Sequence, residues 1–129
     1  MCFKTLQKNY HVSIFLLRVA IACIFLAHGY MKFSNIDSLP TLMKILAIAE
    51  PLGGIAMLIG LLTRWAALGL AIIMLGAIYT KITAMGVSYT GGPGAGWEFD
   101  ALVLASCIMM MTMGAGKWSM DAKTGWDRA

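Results

Sequence analysis

The stretch Val12–Met31, VSIFLLRVAIACIFLAHGYM, decides the fold. It is an apolar run whose basic residues are Arg18 and His28. As a helix rising about 1.5 Å per residue it would be about 30 Å long, the thickness of a bilayer hydrocarbon core. The residues before it are polar and carry Lys4, Lys8 and His11. Lys4 and Lys8, followed by an apolar run with Ala20 and Ala22, would also suit a removable signal peptide. The length of the run and the internal Arg18 favour a retained span, because a cleaved segment has no use for a buried charge.

Working outward, a second apolar run extends from about Pro40 to Leu62, and a third from Trp65 to about Met85. Only Thr63 and Arg64 separate them, so these two helices must be antiparallel neighbours. Gly86–Gly96 holds Gly91, Gly92, Pro93, Gly94 and Gly96, a density that predicts a loop. A fourth helix is expected over Glu98–Met113. Trp97 and Trp118 bracket it about 31 Å apart at helical rise, as interfacial anchors would. The polar tail from Lys117 is too short to fold alone.

Composition agrees. The 129 residues are 60% hydrophobic and 12% charged, far from soluble averages. Four spans consume nearly the whole chain, so the expected fold is all-α, one integral membrane four-helix bundle over 1–129, with no room for a soluble catalytic domain. The net charge of +4 is scattered beside apolar runs rather than gathered in a basic patch, which argues against a nucleic-acid partner. With four spans both termini share one side. That side collects Lys4, Lys8, Arg64, Lys117, Lys123 and Arg128, against Lys32, Lys44 and Lys81 opposite, and the positive-inside rule makes it cytoplasmic.

Charges inside spans carry the functional signal, since each costs several kcal/mol in hydrocarbon unless it is paired or faces a polar cavity. At 100° per residue, Arg18, Phe25, His28 and Lys32 fall within about 80° and form one stripe. Glu50 lies near the middle of the second helix and needs a partner in the bundle. Arg18, at an estimated depth within about one turn of it, is the expected one. The pair could be a proton-handling catalytic unit or could only fix helix register. Pro51, next to Glu50, frees the carbonyl of Ala47 and predicts a kink, while Gly53 and Gly54 allow close helix approach. Gly69 and Gly76 are read as packing positions.

At the opposite end His28, Lys32, Lys81, Glu98 and Asp100 come to similar depth, joined by Tyr30, Tyr79 and Tyr89. This cluster could hold an anionic or quinone-like head group, with His28 or Lys81 as donor and Phe25 and Tyr79 as walls, or it could be the solvated rim of the bundle. Two signals are discounted. Met109, Met110, Met111 and Met113 point in different directions on one helix, so no metal site is expected from them. The glycine loop lacks the GK[ST] ending of a phosphate loop. Cys2, Cys23 and Cys107 lack CxxC spacing, although Cys23 and Cys107 share a mid-membrane depth at which they could pair.

The runs LLRVAIACIFLAHGYMKF, EPLGGIAMLIGLLTRWAAL, WEFD and GAGKWSMD, taken in order, resemble the DoxX family of small four-helix bacterial membrane proteins. By that resemblance the recurring positions are Arg18, His28, Gly29, Lys32, Glu50, Gly53, Gly60, Arg64 and Asp121. The wider group includes a subunit of thiosulfate:quinone oxidoreductase, so the resemblance implies redox work near quinone in a bacterial inner membrane. Three functions follow as expectations. One is a quinone-linked subunit that receives electrons from a redox partner protein, with Glu50 and Arg18 catalytic, His28, Lys32, Lys81, Glu98 and Asp100 at the head group, and no covalently bound cofactor. The others are a non-catalytic scaffold and a small-solute permease acting as a homo-oligomer.

Overall fold

The computed structural model describes residues 2–126 of the 129; Arg128 and Ala129 lie outside the described residues. The described chain is helical: α1 (Cys2–Lys8), α2 (Tyr10–Phe33), α3 (Thr41–Ile59), α4 (Thr63–Thr83), α5 (Trp97–Met113) and α6 (Met120–Thr124), with a 3₁₀ turn at Ile36–Ser38. The four long helices match the four expected, with ends moved by a few residues. The short α1 and α6 were not foreseen. Both flank apolar runs, where the polar composition gave no helical period to read.

Helices α2, α3 and α4 are each long and apolar enough to cross a membrane. Helix α5 has 17 residues, about 26 Å at helical rise, and runs back along α4. Trp97 opens α5, whereas Trp118 lies beyond its end. Helix α5 stops at Gly114 with φ +77°, and Trp118 sits in the irregular segment beyond, edge-on to Phe15 with ring centroids 5.6 Å apart.

Packing is arranged for lipid. The bundle is two antiparallel hairpins, α2 with α3 and α4 with α5, joined through the α3–α4 turn and a narrower α2–α5 contact. Its interior is filled by Ile21, Phe25, Met57, Leu70, Cys107 and Met110, while Leu16, Leu52, Ile72 and Leu102 point outward and stay exposed. A water-soluble protein of this size would not present such an apolar surface. This is a membrane protein. The seams are made by small residues. A Cβ on Gly53 would lie 2.7 Å from Leu70 Cδ2, and one on Gly54 would lie 3.2 Å from the carbonyl oxygen of Ala22. Gly69 and Gly76 behave differently from the expectation: a Cβ on either meets nothing within 4 Å, so they pack against no other part of the described chain. Pro51 lies inside α3, whose helical assignment runs through it unbroken.

Candidate functional site

Two polar assemblies occupy opposite ends of the bundle. The first, at the end that carries α1 and α6, is built on Arg18. Its Nε donates to the Met57 carbonyl at 2.9 Å and Nη2 to the Leu58 carbonyl at 2.9 Å. Nη1 donates to the carbonyls of Ala115 at 2.7 Å and Trp118 at 2.9 Å. The guanidinium thus neutralises the negative end of α3 and binds the segment after α5 to it. Gly60 makes this closeness feasible. With φ +70° it ends α3 in a Schellman turn, Leu61 N–H bonding Ala56 O and Gly60 N–H bonding Met57 O. A Cβ there would lie 2.5 Å from Ser119 Cβ and 2.8 Å from Arg18 Cζ.

The same segment closes the start of α4. Asp121 accepts from Leu62 N–H at 2.7 Å and Thr63 N–H at 2.8 Å, capping α4 from a distant part of the chain. Its own N–H donates to Gly60 O at 2.9 Å. Ser119 caps α6 by accepting from Ala122 N–H at 3.1 Å. Arg64 donates to the carbonyls of Met111 and Thr112 at the end of α5. Arg18, Gly60, Arg64 and Asp121 are therefore parts of one structural lock, and Glu50 is not among Arg18's partners.

The expected Arg18–Glu50 pair is thus corrected, and the reason is register. The α2–α3 seam is set by Gly29 against Pro51. Arg18 lies eleven residues back along α2 from Gly29, about 16 Å at helical rise, whereas Glu50 is one residue from Pro51. No Arg side chain spans that separation while also bonding four carbonyls. Depths counted from the ends of apolar runs missed this offset.

Glu50 belongs to the second assembly, at the opposite end. Its Oε1 forms an ion pair with Lys32 Nζ. Glu50 is 2% exposed, and its Oε2 is buried with no hydrogen-bond partner among the described residues. Across the bundle Lys81 Nζ lies 2.6 Å from Asp100 Oδ2. Both pairs, with His28, border one cavity of about 150 Å³. Its apolar walls are Ile24, Phe25, Met74, Ala77 and Phe99. That volume is of the order that accepts a single six-membered ring.

Of the residues expected at this end, His28, Lys32, Lys81 and Asp100 come together, and Phe25 is a wall as anticipated. Glu98 is exposed and does not line the cavity, and Tyr79, 70% exposed, faces outward. Tyr89 packs edge-on to Trp97 with centroids 4.6 Å apart, and its carbonyl accepts from Glu98 N–H, so the glycine loop closes onto the start of α5. Met74, Ala77 and Phe99 were not singled out. The first two share a helix face with Lys81 at i, i+3 and i+7 spacing, a signal that was present. Cys23 and Cys107 do not pair: Cys107 is fully buried and Cys23 is exposed, so they face different ways.

A larger cavity of about 450 Å³ lies beside the lock, against Leu62, Trp65, Leu68, Met111 and Trp126. Asp121 and Arg64, its charged borders, are already engaged in capping helix ends. It offers mainly apolar contact.

Comparison with known proteins places these features in a family. The DoxX family profile matches residues 13–83, which include Arg18, the Lys32–Glu50 pair and the α3–α4 turn. The chain belongs to the DoxX family. It is similar to the "Putative oxidoreductase CatD" of Bacillus subtilis, with 30% identity over 90% of each chain. It is also similar to the "Uncharacterized membrane protein Rv3486" of Mycobacterium tuberculosis, 31% identical over 86% of this chain and 80% of that one. No solved structure matches.

Proposed function

We propose that this DoxX protein is the membrane subunit of an oxidoreductase system whose cavity between α2, α3, α4 and α5 receives the head group of a lipid-soluble quinone. The observation that carries this reading is the union, in one cavity, of apolar and aromatic walls with two carboxylates, two ammonium groups and His28. A quinone head needs apolar contact for its ring and polar partners for its oxygens, and sites of this class are mostly apolar with a few placed polar groups. The name of the Bacillus subtilis relative supports a redox setting.

In this reading Glu50, paired with Lys32, is the proton-handling group of the site, and His28 and Lys81 supply donors. Arg18 leaves the catalytic assignment, since its donors are spent on backbone carbonyls. A partner protein supplies or removes electrons. The protein resides in a bacterial inner membrane with the lock end cytoplasmic, supported by Arg64, Lys117 and Lys123 gathering at that end.

The test is titration of purified protein in mild detergent with a short-chain benzoquinone, for wild type and for His28→Ala and Phe25→Ala. Saturable binding weakened in both variants is expected. Absence of saturable binding, or identical affinities in all three proteins, overturns the assignment.

A further inference from the structure

We propose that the cavity prefers the reduced, dihydroxy form of its aromatic ligand, and that Glu50 Oε2 is the atom that makes the choice. This deepens the quinone reading and rests on it.

Glu50 sits at the middle of α3 and is 2% exposed. Lys32 occupies one carboxylate oxygen, Oε1. The other, Oε2, is buried without a partner among the described residues although Glu50 borders the cavity. A buried acceptor left unmade is costly, and an ionised carboxylate has no proton to donate. The occupant that relieves Oε2 must therefore bring a hydrogen-bond donor. A quinone carbonyl is itself an acceptor and meets Oε2 lone pair to lone pair. A hydroquinone hydroxyl donates.

The opposite wall repeats the demand. Asp100, 7% exposed, keeps further acceptor capacity beyond its contact with Lys81. A ring with hydroxyls on opposite edges can address Glu50 on α3 with one and Asp100 on α5 with the other. Phe25 and Phe99 supply aromatic edges or faces between them, and Met74 a polarisable sulfur, a lining suited to an aromatic ring.

The discriminating experiment measures the dissociation constants of the same short-chain benzoquinone and its hydroquinone, the latter held reduced without oxygen, for the full chain in lipid nanodiscs. Wild type should bind the hydroquinone about tenfold more tightly or better, the lower end of what one hydrogen bond to a charged group contributes. A tenfold preference raises the two-electron midpoint potential of the bound couple by about 30 mV, an independent readout on the unmutated protein. Glu50→Gln, which keeps the shape but gives that position a donor, should abolish the preference by weakening hydroquinone binding. Equal affinity for both forms in wild type, or tighter binding of the quinone, overturns the preference while leaving the quinone site standing. An undiminished preference in Glu50→Gln removes Glu50 as its origin. Failure of both forms to bind overturns the preference and the quinone site together.

Discussion

Gly29 and Pro51 meet across the α2–α3 seam so closely that a Cβ on Gly29 would lie 2.5 Å from Pro51 Cδ. The proline ring rests where a side chain would otherwise stand. This contact sets the register that brings Lys32 to Glu50 rather than Arg18.

Gly29→Ala should therefore loosen the seam. The proline ring is rigid and cannot swing aside, so α2 must move away from α3, at a loss of about 1 to 3 kcal/mol as for other overpacked sites. Thermal unfolding in detergent measures this. An unchanged midpoint would show that the helices separate freely at this point.

Arg18→Lys should destabilise nearly as much as Arg18→Met. A lysine has one ammonium and cannot spread donors over the carbonyls of Met57, Leu58, Ala115 and Trp118. Loss of several charged hydrogen bonds in a buried place should lower stability by about 3 kcal/mol or more. Ligand affinity of the folded fraction should not change. A variant of full stability with lost binding would return Arg18 to the site.

Asp121→Ala removes the cap from α4 and should lower stability by about 1 to 2 kcal/mol. Asp121→Asn, which retains an acceptor oxygen, should lose less. Proteolysis after Lys117 and Lys123 reports the result directly, since the two lysines flank Asp121 in sequence. Equal cleavage of wild type and Asp121→Ala would show that the tail is not held by this carboxylate.

For the Lys81–Asp100 pair, Lys81→Met strands a buried carboxylate and should be more destabilising than Lys81→Met with Asp100→Leu together. Coupling between the two positions should be about 1 to 3 kcal/mol in a double-mutant cycle. Additive effects would mean that the two groups do not sense each other.

Much of this architecture is written in short-range pattern. The apolar run at Val12–Met31, the Thr63–Arg64 break and the glycine cluster before Trp97 each announce an element locally, and the four long helices follow. Partnership across the bundle is not local. Arg18 and Glu50 both read as costly charges, but which group satisfies each depends on how far one helix slides along another. Here that slide is fixed by one glycine facing one proline ring. The ring of charges at the far end was legible from depth alone because Lys32, Lys81 and Asp100 lie near helix ends, where counting errors are small. Asp121 was visible as a recurring position, yet nothing in its own neighbourhood reveals that its two oxygens cap a helix beginning about sixty residues earlier.

The arginine lock also orders events during synthesis. Arg18 belongs to α2, but two of its four acceptors, Ala115 and Trp118, lie 97 and 100 residues later. Hairpin α2–α3 can insert and satisfy part of the guanidinium through Met57 and Leu58 while translation continues. The rest waits for the segment beyond α5. A chain cut before Ala115 therefore lacks two of the four carbonyls that solvate the Arg18 guanidinium, and is expected to hold that buried cation at higher cost than the full bundle does.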